Sequence, residues 1–212
     1  MVLQKISQRR KAYSGIVIPK ITDPKKLFNK WLSDAIKTSN HEPNAMVLST
    51  VSNNGQPRSR FVLLKGINKE GFEFFTNTTS SKAKEISKNR KASLLFYWPE
   101  IHRQIRIEGT IKKLSRRDTE KYFSTRPFGS KIAALISNQS SKLESRELLI
   151  KQYKLAETKY KNSSVPTPIN WSGYCLVPKY FEFWSGMPSR LHDRVYFQKL
   201  KNNIWKSGRM YP

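Results

Sequence analysis

Met46-Val47-Leu48-Ser49-Thr50-Val51, Asn53-Asn54-Gly55-Gln56 and Arg58-Ser59-Arg60-Phe61-Val62-Leu63-Leu64-Lys65-Gly66 read as two strands joined by a hairpin. β-Branched and apolar residues on both sides suit a pleated, half-buried surface. The Asn-Gly pair between them supplies the positive φ that tight hairpin turns need. The same alternation of strand and turn extends outward. Asn68-Lys69-Glu70-Gly71 is a second turn and leads into a strand over residues 72–76. A short helix is expected over about 81–88. Strands resume at 92–98 and 103–114, where Ile105, Ile107 and Ile111 share one face.

Helices flank this run. Asp23 is a good N-cap, and Pro24 fits a first helical position. Leu27, Phe28, Trp31, Leu32, Ala35 and Ile36 then recur with helical spacing. Ser115 and Asp118 resemble a capping box that opens a helix through Tyr122 and Phe123. A longer helix is expected over about 142–160. Val165-Pro166-Thr167-Pro168 is a stiff connector before strands at 173–177, 180–184, 195–200 and 204–209, the last two joined at Lys201-Asn202-Asn203. Hairpin-linked strands broken by helices specify an α+β fold on an antiparallel sheet or barrel. Regular βαβ alternation and a Gly-x-Gly-x-x-Gly fingerprint are both missing, which argues against a doubly wound sheet. Residues 1–20 are basic, without sustained periodicity, and are expected to be peripheral or poorly ordered. Residues 21–212 are expected to form a single domain.

Composition narrows the function. The 212 residues carry 40 Lys and Arg against 15 Asp and Glu, a net charge of +25. Such charge suits nucleic acid. Here it is scattered along the chain, and no RNA-recognition, zinc-finger or helix-turn-helix signature accompanies it. A lysine-rich bias is therefore favoured over nucleic-acid binding, and the charge also attracts phosphorylated small molecules. Cys175 is the only cysteine, so no intrachain disulfide can form, and its apolar surroundings make it a small buried hydrophobe. One cysteine and three histidines, without ligand spacing, give no metal site. No apolar run reaches the roughly 20 residues of a membrane span. Residues 1–11 lack the apolar stretch of a secretory signal. A soluble cytoplasmic protein is the expectation.

Three polar sets are candidates for chemistry. Phe183-Trp184 and Arg190-Leu191-His192-Asp193-Arg194 gather an indole, two guanidiniums, an imidazole and a carboxylate. On an extended segment Arg190, His192 and Arg194 would share a face, with Asp193 turned away. That arrangement suits an anionic aromatic ligand, and equally a solvated strand edge. Arg60 and Lys65 lie at the two ends of an apolar strand, and Lys82 lies in the first turn of a predicted helix, where free N–H groups attract anions. Tyr122 and Arg126 are four apart and are expected to stack on one helix face, and Ser130 follows in a Gly-containing turn. Together these three would bind a dianion.

An ordered series of motifs runs through the chain. It comprises Arg60-Phe61-Val62-Leu63-Leu64-Lys65, Phe74-Phe75-Thr76-Asn77 with Ser81-Lys82, Leu94-Leu95-Phe96-Tyr97-Trp98 and Arg103-Gln104-Ile105-Arg106-Ile107-Glu108-Gly109. Tyr122-Phe123-Ser124-Thr125-Arg126-Pro127, Asn138-Gln139-Ser140-Ser141, Glu182-Phe183-Trp184 and Arg190-Leu191-His192-Asp193-Arg194 follow. In this order, from about Asp23 to the C-terminus, the series resembles the pyridoxamine 5'-phosphate oxidase family. The resemblance implies an FMN-binding split β-barrel, paired as a homodimer with flavin at the interface. It puts FMN on Arg60, Lys65, Phe75, Thr76, Lys82, Gln104, Gln139, Ser140, Trp184 and Arg194. It puts substrate on Lys65, Tyr122, Arg126, Ser130, Arg190, Leu191 and His192, with Arg190 and His192 as the catalytic pair. The implied reaction takes pyridoxamine 5'-phosphate or pyridoxine 5'-phosphate to pyridoxal 5'-phosphate, with dioxygen as acceptor and hydrogen peroxide as product. Two departures stand out. The spacing from Arg9-Arg10 to Tyr13 differs from the family's N-terminal pattern. The family's Ser-Arg-Lys is Ser80-Ser81-Lys82 here, one guanidinium fewer. A basic nucleic-acid-binding protein, or a split-barrel flavoprotein with another reductase role, are the alternatives.

Overall fold

A computed structural model of the chain describes residues 12–38 and 42–212; the basic segment 1–11, with Arg9-Arg10, lies outside them. The described residues form five α-helices and a nine-stranded sheet. In chain order these are α1 (Pro24–Thr38), β1 (Ala45–Val51), β2 (Pro57–Leu63), β3 (Gly66–Ile67), β4 (Phe72–Asn77), α2 (Ser81–Lys88), β5 (Lys91–Trp98) and β6 (Arg103–Lys113). Then come α3 (Arg116–Ser124), α4 (Phe128–Ile136), α5 (Arg146–Tyr160), β7 (Trp171–Ser185), β8 (Asp193–Lys199) and β9 (Trp205–Met210). The strand order is β2-β1-β5-β6-β7-β4-β3, with β8 pairing β7 and β9. The β3–β4, β4–β7, β7–β8 and β8–β9 ladders are antiparallel. The chain divides into two compact units.

The first unit takes the described residues up to Val47, with Ser93–Glu108 and Pro178–Pro212. Its helix α1 starts as the sequence predicts: Asp23 Oδ1 accepts from the backbone N–H of Lys25 at 2.9 Å. Leu27, Phe28, Trp31 and Ala35 form its buried face, whereas Ile36 stays exposed. Phe28 meets Phe96 and Trp31 meets Phe183, both edge-on, at 5.0 and 5.2 Å. Fully burying an aromatic or aliphatic side chain of this kind contributes roughly 1.5–3 kcal/mol. Most side chains of residues 12–20 are exposed, but hydrogen bonds tie the segment down. Ile18 is buried, its N–H donates to Asp193 Oδ2 at 2.7 Å, and Gly15 N–H donates to the Gly186 carbonyl at 2.8 Å.

The second unit takes Leu48–Ala92 and Gly109–Val177. The hairpin turn is as expected: Gly55 has φ +83°, and the Ser52 N–H donates to the Gln56 carbonyl. β4 pairs β7 from Phe72↔Leu176 to Asn77↔Trp171, burying Phe72 and Phe74. Ser115 caps α3, its hydroxyl accepting from the Asp118 N–H at 3.0 Å. Three expectations are corrected here. Residues 128–136 form helix α4, where the sequence suggested only a Gly-containing turn. α4 packs against α5, and a Cβ at Gly129 would sit 2.9 Å from the Tyr153 hydroxyl oxygen. α5 starts at Arg146 rather than near 142, because the Ser145 hydroxyl accepts from the Leu148 N–H and fixes the cap there. Residues 173–177 and 180–184 belong to one 15-residue strand. On the edge that β7 shares with β4 and β8, Pro178 falls between the two ladders, after the last β4 pair at Leu176 and before the first β8 pair at Tyr180, where no ladder bond needs its missing N–H. Among the described residues no helix is long and apolar enough to cross a membrane.

Candidate active site

The second unit holds a cleft of about 660 Å³. Lys65, Phe75, Thr76, Lys82, Tyr122, Arg126, Ser130 and Gln139 all line it. Thr76 is buried next to the end of β4, and Lys82 is the second residue of α2, so strand and helix bring both to one place. Lys82 Nζ donates to Gln139 Oε1 at 2.8 Å and to Thr76 Oγ1 at 3.1 Å. Burial, and then the field of Arg60, pull the Lys82 ammonium below the usual lysine value, against the pull of Glu85. An anion in the cleft would relieve that unfavourable field.

The expected phosphate clamp also converges, by a different route from that expected. α3 ends at Ser124, so Arg126 lies beyond the helix; its N–H closes a turn onto the Phe123 carbonyl at 3.1 Å. Its guanidinium lies over the Trp171 ring, 4.8 Å from the centroid. Arg126 Nη1 is buried without a hydrogen-bond partner among the described residues. Burial, opposed by Tyr122, lowers the pKa of this guanidinium. An orphan buried donor on a charged fork is costly unless a ligand completes it. Tyr122 stacks on Phe75 at 4.0 Å, and Trp171 stacks on Phe75 at 5.3 Å. Ser130 sits in the first turn of α4, where free backbone N–H groups favour an anion.

Arg60, Ser140 and the strand geometry differ from expectation. β2 stops at Leu63, so Lys65 is not on the strand with Arg60; its N–H donates to the Glu73 carbonyl. Arg60 is not among the lining residues: its guanidinium turns to Glu85 Oε2, at 3.0 Å, and to Thr50. Ser140 is exposed in a turn with φ 72°. Sequence reasoning missed Glu85 and Trp171. A carboxylate in a lysine-rich helix reads as solvated, and an indole opening a strand reads as core.

The first unit gathers the C-terminal set. Trp184 and the His192 ring are 4.7 Å apart, and Tyr13 sets its edge against both and against His102. His192 Nδ1 accepts from the Met187 N–H at 3.1 Å, so a neutral ring carries its proton on Nε2. Burial, and then the Arg190 charge, lower the His192 pKa. The expected alternation along 190–194 does not hold. Residues 188–190 form a 3₁₀ turn, Ser189 and Arg190 have φ 54° and 61°, and β8 begins only at Asp193. Leu191 is largely exposed. Arg194 Nε and Nη2 donate to Glu182 Oε1 at 3.0 and 2.7 Å, while Arg106 Nη2 donates to Glu182 Oε2. Burial would raise the Glu182 pKa, but hydrogen bonds from Arg106 and Arg194 outweigh it and hold the carboxyl low. Gln104 alternates with buried Arg103 and Ile105, on the β6 face that carries Arg106.

Residues 32–160 match the family model described as pyridoxamine 5'-phosphate oxidase. Residues 171–212 match that of the pyridoxine 5'-phosphate oxidase C-terminal dimerisation region. A pyridoxine/pyridoxamine 5'-phosphate oxidase of Leptospira biflexa serovar Patoc is 46% identical over 190 residues, 90% of this chain and 89% of that one. Its counterpart in Nostoc punctiforme is 44% identical over 185 residues, 87% of this chain and 86% of that one. Among solved structures, PhzG from Burkholderia lata 383, in complex with tetrahydrophenazine-1-carboxylic acid, aligns with TM-score 0.88 and 29% identity over 93% of this chain and 98% of that one. A pyridoxamine 5'-phosphate oxidase-related, FMN-binding protein from Nostoc punctiforme shares the fold at TM-score 0.72 and 16% identity, over 87% of this chain and 97% of that one. The split-barrel architecture, the two matched regions and the level of identity lead to one conclusion: the chain belongs to the pyridoxamine 5'-phosphate oxidase family.

Proposed function

We propose that this protein is a cytoplasmic, homodimeric, FMN-dependent oxidase that converts pyridoxamine 5'-phosphate and pyridoxine 5'-phosphate to pyridoxal 5'-phosphate. The observation that carries this is the cleft of the second unit, which presents two cationic sets, one around Lys82 and one around Arg126 with its orphan Nη1. Two phosphates, one on the flavin and one on the substrate, fit that donor set. Lys82, Thr76 and Gln139 would hold FMN together with Arg60, Lys65, Phe75 and Ser140 of their unit, and with Gln104, Trp184 and Arg194. Tyr122, Arg126, Ser130 and Lys65 would hold the substrate phosphate. Arg190, Leu191 and His192 would hold the pyridine ring, with His192 offering Nε2–H as a donor. When bound, FMN supplies the two-electron acceptor for the substrate, and dioxygen takes the electrons on as hydrogen peroxide. The chain's own contribution is to position the reactants and stabilise charge.

The testing assay is peroxide release with pyridoxamine 5'-phosphate by the purified, FMN-loaded protein. A colourless protein without flavin absorbance would favour the basic nucleic-acid-binding alternative. A yellow protein that turns over a reducible substrate but not pyridoxamine 5'-phosphate would favour a different flavoprotein role. The oligomer is tested separately. Light scattering should give a dimer with about one FMN per chain, as the match of residues 171–212 to a dimerisation region supports. A flavin-loaded monomer would sink that expectation.

Ser81 provides a graded test of the flavin phosphate site. It opens α2 next to Lys82, and the first turn of that helix carries no acidic residue. A hydroxyl there donates one hydrogen bond but supplies neither charge nor a bidentate fork. Lys84 is exposed and lies about 200° around the helix from Lys82. Ser81→Arg should tighten FMN binding by roughly three- to thirty-fold, about 0.7–2 kcal/mol, with turnover at saturating FMN nearly unchanged. Fluorescence titration of apoprotein checks it. Equal or weaker binding would mean that another cation already serves the position.

A further inference from the structure

Glu85 is a carboxylate on the buried face of α2, its side chain only 6% exposed and flanked by buried Ala83 and Ile86. Burying a carboxylate costs several kcal/mol unless partners compensate it. Here the compensation is complete. Oε1 accepts from Arg58 Nη1 at 3.0 Å. Oε2 accepts from Arg60 Nη2 at 3.0 Å and from the Thr50 hydroxyl. The same Thr50 oxygen accepts from Arg60 Nη1, which also reaches the Leu48 carbonyl at 3.3 Å and the Arg58 carbonyl at 3.1 Å. The Arg60 guanidinium is therefore fixed along one edge by a buried carboxylate and hydroxyl. Arg60 does not itself line the cleft, but its charge acts on Lys82, which does, and its Nε and the second hydrogen of Nη2 are not used in the contacts above. Glu85 also stands three residues after Lys82, on the same short helix.

Two opposite roles are conceivable for such a group. As a bare negative charge it repels a nearby phosphate. As a brace it holds a guanidinium so that its remaining donors are pre-oriented. Arg side chains carry about 2 kcal/mol of rotamer entropy, and a fork already locked by several partners has little left to lose on binding an anion. On the reading that this cleft takes FMN, we propose that Glu85 is a positioning residue for the flavin phosphate, acting through Arg60 with Thr50 as the second brace. The two roles predict opposite signs. Bracing means that removing the negative charge weakens FMN binding; simple repulsion means that it tightens it.

The experiment is a titration of apoprotein with FMN and, in parallel, with riboflavin, which lacks the phosphate. Glu85→Gln keeps the side-chain shape while removing the charge. It should weaken FMN by about tenfold, or ~1.4 kcal/mol, and leave riboflavin unchanged. In an Arg60→Ala background the same substitution should cause no further loss, because nothing remains to be braced. Thr50→Val should weaken FMN in the same phosphate-dependent way, and Thr50→Ser should restore it. Unchanged or tighter FMN binding in Glu85→Gln would overturn the proposal. An equal loss for riboflavin would overturn it too, since that marks a general structural defect. Wild-type protein that fails to take up FMN would instead overturn the flavin reading itself, and wild-type affinity separates the two failures.

Discussion

Arg126→Ala should raise the Michaelis constant for pyridoxamine 5'-phosphate by about 10- to 150-fold while leaving FMN content near that of the parent. The magnitude follows from losing one charge-assisted contact, worth ~1.5–3 kcal/mol. The direction follows from how the guanidinium is held. It rests on the face of Trp171, at 4.8 Å, and near Phe123, at 5.5 Å, with Nη1 buried and unpartnered. Aromatic faces attract the cation without neutralising it, so its charge and its free fork remain for a ligand. Arg60 is the opposite case, paired to Glu85. Arg126→Lys should recover only part of the loss, because an ammonium keeps the charge but not the planar bidentate fork. Steady-state kinetics and flavin absorbance on the same preparations check both halves. A variant that loses FMN but keeps its substrate affinity would show that the two phosphate sites are assigned the wrong way round.

The contrast between Arg126 and Arg60 also marks what a sequence can and cannot disclose. Local chemistry was legible wherever one residue decides the backbone. Asp23 with Pro24, Ser115 with Asp118, and Asn54-Gly55 each located a helix start or turn that the fold retains. Position 127 misled for the same reason. Pro127-Phe128-Gly129-Ser130 carries turn residues, yet Pro127 is the N-cap of α4, whose packing on α5 overrides the weak helix propensity of Gly129. The expected break between 177 and 180 does not form, because the tolerance for Pro178 depends on which strands lie alongside, a non-local fact.

The residues that meet in the cleft were legible through ordered motifs rather than through periodicity. Lys82, Thr76 and Gln139 lie up to 63 residues apart and meet only because β4, α2 and the turn after α4 converge. Periodicity by itself gave the wrong geometry for Arg126, which leaves its helix, and for Arg190, whose left-handed φ of 61° removes it from a strand. Glu85 was invisible because a buried carboxylate and a solvated one look alike until their partners, 25 to 35 residues away, are placed.

His192→Ala and Arg190→Ala should each slow flavin reduction by pyridoxamine 5'-phosphate by roughly 30- to 1,000-fold, or ~2–4 kcal/mol, with FMN still bound. Both are assigned to substrate rather than to the flavin phosphate, so flavin content should not follow the rate. The structure adds a pH signature. His192 Nδ1 is committed to the Met187 N–H, which leaves Nε2–H as the donor of a neutral ring. Protonation would put a hydrogen on Nδ1 and break that contact. Burial first, and Arg190 second, place the His192 pKa below its ordinary 6.5. A lowered histidine pKa keeps the neutral form populated to more acidic pH, so any acid limb due to this ring should lie below 6.5. Arg190→Ala removes one of the two lowering influences, and the acid limb should then move upward, toward 6.5, as the rate falls. His192→Ala should abolish that limb. Single-turnover reduction across pH measures both effects at once. Unchanged reduction rates in the two variants would remove these residues from the active site. A rate loss with an unmoved limb in Arg190→Ala would mean that some other group sets the acid dependence.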